Sequence, residues 1–379
     1  MRHRFACFAL LVALVVPAAA QDRSAQVQTA FARAQHLKRG INASMWFAQS
    51  PQDYSNKHLD GYMDASDFAL IAKLGFDHVR LSIDAKPLAE SLGLSWGKRP
   101  GYLERLDRTV DAILANGLAV LIDVHPEEDF KKSLNSGSES VEQFTALWSA
   151  LAAHYANRDP DRVFFEILNE PEVGDAYRWA GIQAHVAAAI RAAAPRQTLI
   201  AAGGMWSDIW DLIAIEPLTD GNVIYNFHFY EPHEFTHQGA GWGTGWWHYT
   251  HNIPYPATES SMPDGLKQVP DAVDRYLFEK YWLDNWNAHR IQLMIDVAAG
   301  WARDHKVPLT CNEFGVFRDF SDVQSRTTWL HDVRTALETD GIGWAMWDYR
   351  GNFGVVFKED GQPAKVDEGV AKALGLNVK

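Results

Sequence analysis

The stretch "FFEILNEP", residues 164–171, decides the reading of this chain. Phe164, Phe165, Ile167 and Leu168 make a short apolar run of the kind that forms a strand buried on both faces. The run ends on Asn169, Glu170 and Pro171. A second segment, "VPLTCNEFG" (307–315), has the same form and ends its apolar run on Asn312 and Glu313. Two buried strands that each hold out an amide and a carboxylate pose the question of whether the two glutamates belong to one site.

The rest of the chain supplies the frame. Strand-like runs fall at Leu37–Trp46, His78–Ile83, Leu118–His125, Val163–Asn169, Thr198–Ala202, Val223–Phe229, Val307–Asn312 and Ile342–Trp347. Helical periodicity fills the intervals, as in "YLERLDRTVDAILANG" and "AHRIQLMIDVAAGWARDH". In "DASDFALIAKLG", Asp64 or Ser66 is a candidate N-cap and Gly75 a stop. Strands alternating with helices predict an α/β chain with a closed parallel barrel. An open doubly wound sheet would want a glycine-rich phosphate loop after its first strand, and "RGINASMW" is not one. One connection is out of scale: Glu231 to about Asn285 is far longer than the usual loop of roughly 2–6 residues. It contains "HQGAGWGTGWWHYTHNIPYP", in which Trp242, Trp246, Trp247 and Tyr249 are interleaved with glycines.

Arg2 and Arg4 precede an apolar run from Phe5 to Val16, followed by Pro17 and Ala18-Ala19-Ala20. That is the form of an export signal cleaved after Ala20, and the run is shorter than the about 20 residues of a membrane span. Residues 21–379 then form a single domain, secreted to the exterior or the periplasm. Losing two arginines moves the formal net charge from −13 to −15. Such acidity disfavours nucleic acid and anionic membranes and suits a neutral substrate. Cys7 leaves with the signal, so Cys311 has no partner and reads as a small buried apolar residue.

In a barrel, chemistry collects at the C-terminal ends of the strands. Reading those ends in order gives Arg80, His125, Asn169 and Glu170, His228 and Tyr230, Glu313, and Trp347. A pair of carboxyls can divide the work of glycosidic cleavage, one protonated to donate to the leaving oxygen and one ionised to attack carbon. Arg80 and Tyr230 could hold the second as an anion, and the indole of Trp347 offers a flat face to a sugar ring. With "LNEP", "NEFG" and these residues in this order, the whole mature chain resembles glycoside hydrolase family 5, and in particular its bacterial endoglucanases. The resemblance implies a (β/α)8 TIM barrel, in which the long connection from Glu231 to about Asn285 is an insertion after strand 6. It implies Glu170 as acid/base, Glu313 as nucleophile, Asn169 as the amide that binds the sugar 2-hydroxyl, and Arg80, His125, His228, Tyr230 and Trp347 as substrate-binding positions. It implies no cofactor and no metal. The expected activity is a retaining endo-β-1,4-glucanase acting on β-glucan, with mannan, xyloglucan or β-1,3-glucan as alternative substrates of the same machinery. A non-catalytic carbohydrate-binding barrel is the reading from a different class. The oligomeric state is not written in these residues, and a monomer is assumed.

Four features carry competing readings. Glu166 has the parity of Glu170 but reads as a structural carboxylate paired inside the barrel. "HEFTH" (233–237) matches a zinc-protease motif, which needs a helix that Pro232 and the following glycines would cut to about a turn. A metal held adventitiously by His233, His237, His248 and His251 is its weaker form. Asn42 heads a glycosylation sequon but falls in the first strand. The tryptophans of the insertion either pack it onto the barrel or form a platform for sugar.

Overall fold

The computed structural model describes residues 18–50, 54–94, 99–243 and 245–378. The basic head and apolar run of the export signal, with Cys7, lie outside the described residues.

The barrel strands are β1 (Arg39–Phe47), β2 (His78–Ile83), β3 (Ala119–Val124), β4 (Val163–Glu166), β5 (Thr198–Ala202), β6 (Val223–Phe229), β7 (Leu309–Phe314) and β8 (Gly343–Met346). Each pairs in parallel with the next, and β8 closes on β1 through Arg39↔Trp344, Gly40↔Ala345 and Ile41↔Met346. The intervening helices use local signals legible in the sequence. Helix Ala65–Leu74 starts at Asp64, whose carboxylate accepts from the Ser66 N–H while Asp67 reaches back to the Asp64 N–H. It stops at Gly75, whose φ of +95° suits a residue without Cβ.

Alternation along the strands divides inside from outside. Outward residues such as Val79, Leu81, Val120, Ile122 and Phe165 join Trp148, Leu151 and other helix residues in the main core. Inward, Leu121, Phe164, Ile200 and Ile224 form an apolar layer low in the lumen with Leu37 and Ala30. Two residues further along three of those strands, the same face carries Asp123, Glu166 and Asn226, all buried. The lumen is therefore apolar at its base and polar toward its mouth.

Helix Ala18–Ala34 lies against the base. Arg23 donates to the carbonyls of Leu218 and Thr219, Gln26 accepts from the Gly221 N–H, and Arg33 pairs with Asp161 at 2.8 Å. At the other end of the chain, the Asn377 N–H donates to Leu74 O at 2.8 Å, just before β2 begins. Both described ends of the chain thus sit at the N-terminal face of the barrel.

Three features differ from the sequence expectation or add to it. Strand β4 ends at Glu166 rather than Asn169. Ile167 N–H still reaches Ile200 O and Asn169 N–H reaches Val124 O, but the chain is already turning, and Glu170 takes a left-handed φ of +41°. The turn ends the ladder before Pro171 is reached. The insertion is not a bare loop: it holds a helical turn (His233–Thr236) and helices Met262–Leu266 and Ala272–Leu283 before barrel helix Ala288–His305. After β8 a short hairpin of β9 (Val356–Phe357) and β10 (Lys365–Val366) follows, with helix Glu368–Ala373. None of the described helices is long and apolar enough to cross a membrane.

Candidate active site

Arg80 is the centre of the site. It sits in the body of β2, not at its end, and its long side chain carries the charge up the lumen. Nη1 donates to Glu313 Oε1 at 2.5 Å and to Asn42 Oδ1 at 2.9 Å. Nη2 meets Glu166 Oε1 at 2.8 Å, Asn169 Oδ1 at 2.9 Å and Asp123 Oδ2 at 3.0 Å. Nε donates to Glu166 Oε2 at 3.0 Å. One fully buried guanidinium therefore serves three carboxylates, Asp123, Glu166 and Glu313. Burial pushes the carboxyl of Asp123 up to about 6 and that of Glu166 upward, against the pull of Arg80 in both cases. Glu166 has the structural role expected of it: Arg80 and the amides of Asn312 and Asn226 all donate to it.

The two candidate catalytic carboxylates face each other across the mouth. Glu313 Oε2 accepts from the Tyr230 hydroxyl at 2.9 Å. Burial, then the charge of Glu313, raises the Tyr230 phenol well above its ordinary range, so it stays a donor. Glu170 Oε1 lies 2.9 Å from His228 Nδ1, and the same nitrogen is 3.6 Å from Glu313 Oε2. One carboxylate oxygen of each glutamate and a ring nitrogen of His228 all fall within 4.8 Å of one another. Burial pushes His228 down to about 4, so its ring is neutral near pH 7. The β6–β7 register places His228 beside Glu313, with an irregularity between Phe227 and His228 that brings this about.

A second side of the site is built from residues at the ends of β3, β4 and β8. Asp123 Oδ2 lies 3.0 Å from His125 Nδ1, and His125 Nε2 lies 3.0 Å from Asn169 Nδ2. The His125 ring stacks on Trp347 at 5.7 Å. Gly315 of "NEFG" allows the close approach of β7 and β8 here, since a Cβ would come 2.3 Å from the Trp347 carbonyl oxygen. All eight candidate residues thus join one contact network. Arg80 ties Glu313 to Asn169, Asn169 leads through His125 to Trp347, and His228 and Tyr230 bridge toward Glu170 and Glu313.

Sequence reasoning missed other members. Asn42 is no surface sequon; it is fully buried, accepts from Arg80 and donates to the carbonyls of Asn312 and Met346. Asp123 stands in an otherwise apolar strand two residues before His125, and that position was a usable signal. Trp206 follows β5, a strand from which nothing was picked. Its backbone N–H donates to Pro171 O at 2.9 Å, its φ is +49°, and the residue is 58% exposed next to the Glu170 turn.

The "HEFTH" segment makes a single helical turn, His233–Thr236. His233 stacks on His237 and on Trp247, and His237 meets Trp247 at a tilt. Among the described residues, the one group of three side chains able to hold a metal ion is Glu170, His228 and Glu313, not this segment. Trp246 is buried against Phe278, whereas Trp242 is half-exposed and packs edge-on against Phe317 at 5.1 Å. Phe317 belongs to the aromatic cluster of Trp347 and Phe353, so Trp242 packs onto the cluster that holds Trp347. Cys311 is fully buried and unpaired.

A parallel barrel with two carboxylates held across its C-terminal mouth is the architecture of a glycoside hydrolase. Residues 40–353 match the model of the cellulase family, glycosyl hydrolase family 5. Endoglucanase C of Acetivibrio thermocellus is 31% identical over 335 residues, which cover 86% of this chain and 95% of that protein. Cellodextrinase A of Ruminococcus flavefaciens is 34% identical over 314 residues, covering 80% and 83%. The crystal structure of an endoglucanase from the hyperthermophilic Thermotoga maritima superposes with a TM-score of 0.72 at 26% identity, covering 91% of this chain and 99% of that one. The chain belongs to the cellulase family, glycosyl hydrolase family 5.

Proposed function

We propose that the protein is a secreted endo-β-1,4-glucanase that cleaves β-glucan chains by double displacement with retention. The observation that carries this is the spacing of the carboxyls. One oxygen of Glu170 and one of Glu313 lie within 4.8 Å of each other and both approach the same His228 nitrogen, a close pairing that fits the carboxyl groups of retaining enzymes, which stand about 5–5.5 Å apart. Glu313, fixed by Arg80 and Tyr230, is the nucleophile that attacks the anomeric carbon. Glu170, on a turn and with its side chain partly exposed, donates a proton to the leaving oxygen and then activates the water that releases the sugar. Asn169 donates to the 2-hydroxyl of the sugar at the cleaved bond, and Trp347 stacks beneath it. Trp206, on the Glu170 side, faces the leaving part of the chain.

Carboxymethylcellulose and mixed-linkage β-glucan should be cut faster than mannan or laminarin. Viscosity should fall well before reducing ends accumulate. Proton NMR of the first product should show the β anomer. A dominant mannanase activity would reject the substrate, and an inverted first product would reject the mechanism. The relative called a cellodextrinase supports a second reading, attack on short cello-oligosaccharides. Reducing ends rising in step with viscosity loss would favour it.

Export rests on the basic and apolar head of the sequence, and residues 21–379 form the single catalytic domain. N-terminal sequencing of protein collected outside the cytoplasm should begin at Gln21; an intact Met1 there would reject cleavage.

A further inference from the structure

We propose that Asp123 is a positioning residue that sets the tautomer of His125 and thereby aims the Asn169 amide at the substrate. This rests on the reading of Asn169 as the group that binds the sugar 2-hydroxyl. Asp123 is fully buried in β3, and neither its position nor its type belongs to the set expected from the sequence.

The argument follows the protons. Asn169 Oδ1 faces Arg80 Nη2 at 2.9 Å, and a guanidinium can only donate. The amide is therefore oriented with its NH2 toward His125, whose Nε2 is 3.0 Å away. An NH2 group can only donate, so Nε2 must carry the lone pair and the ring proton must sit on Nδ1. Nδ1 faces Asp123 Oδ2 at 3.0 Å, and that oxygen also takes Arg80 Nη2 at 3.0 Å, which leaves it an acceptor. Burial pushes His125 down to about 3, so the ring is neutral and holds one proton to place. With Nδ1–H fixed by Asp123, His125 and Arg80 clamp the two ends of the Asn169 amide. One N–H of that amide is used on His125; the second is left for the cleft. With the proton on Nε2 instead, two donors would face each other and the clamp would open.

A role of this kind predicts a selective loss. The substrates are an aryl β-cellobioside with a good leaving group and the same compound lacking the 2-hydroxyl on the sugar at the cleaved bond. The readout is the ratio of their kcat/KM values. Asn169→Ala and Asp123→Leu should each shrink the preference for the 2-hydroxyl by about tenfold, the worth of one well-placed hydrogen bond. Asp123→Asn keeps a carbonyl oxygen for Nδ1–H and should stay within about threefold of the parent. Nitrogen-15 NMR of the unaltered protein at neutral pH should show His125 as the Nδ1–H tautomer, a readout independent of turnover. The proposal is overturned if His125 carries its proton on Nε2. It is equally overturned if Asp123→Leu slows both substrates by one factor, or if the Asn variant loses as much as the Leu variant. An unchanged ratio in Asn169→Ala would instead reject the 2-hydroxyl role itself, and with it the basis of the inference.

Discussion

Replacing Asp123 with Asn should stabilise the protein, and more so as pH rises. In the fold its carboxyl titrates at about 6, against an ordinary value of 3.8. Burial is the main cause, and the charge of Arg80 offsets it only in part. The folded-state value lies above the unfolded one. Between about pH 4 and pH 6 the folded protein therefore keeps a proton that the unfolded chain has released, and stability falls as pH climbs through that window. A gap of about two units at 1.36 kcal/mol each amounts to about 3 kcal/mol. The amide cannot ionise, so the variant escapes this loss. Urea unfolding of both proteins at pH 4, 5, 6 and 7 reads the effect, because carboxyls remote from Asp123, such as Asp348, titrate in both, and only those coupled to it, such as Glu166, shift with it. The stability difference in favour of Asp123→Asn should grow by about 3 kcal/mol from pH 4 to pH 7 and then level off. Parallel curves, or a variant that loses ground as pH rises, would refute the claim that Asp123 is held ionised at a disadvantage.

Glu170→Gln should still form the glycosyl-enzyme from an aryl glycoside with a good leaving group, then stall, and azide should restart it to give the β-glycosyl azide; Glu313→Gln with azide should give the α product, and the same anomer from both, seen by NMR, would overturn the division of roles. The two insertion tryptophans should separate. Trp246→Ala, emptying a site against Phe278, should lower stability by about 3–5 kcal/mol in urea unfolding, whereas Trp242→Ala should leave stability nearly unchanged and slow cleavage of polysaccharide more than of a short aryl glycoside. Trp206→Ala should slow cleavage of cello-oligosaccharides several-fold but leave aryl glycosides, which place no sugar on that side, nearly untouched, as measured by kcat/KM on each.

The barrel was legible because its strands are short apolar runs with helical periods between them, and the eight runs read from sequence each overlap an observed strand. Depth along each strand was not legible. Arg80 reads as a residue at a strand end because its function is at the rim, yet its backbone is in mid-strand and only the length of the side chain brings it there. The shared role of Asn42, Asp123 and Asn312 was not legible for a related reason. Each is a polar residue within a buried strand, and what makes them a network is the register between strands, which a linear reading does not contain. The insertion divided in the same way. Alternating glycines and tryptophans mark an irregular segment, but only packing tells Trp246, which is covered, from Trp242, which is not.

The placement of both described ends of the chain at the base of the barrel bears on how the protein can be tethered. Arg23 and Asn377 are anchored next to the entries to β6 and β2, a full barrel height from Glu170 and Glu313. A linker, an affinity tag or a carbohydrate-binding module joined at either end would leave the mouth unobstructed. Grafted by its N-terminus to a bead, the molecule would stand with its cleft turned toward the solution, and a second graft at the C-terminus would pin it in that pose without crossing the path of the polymer.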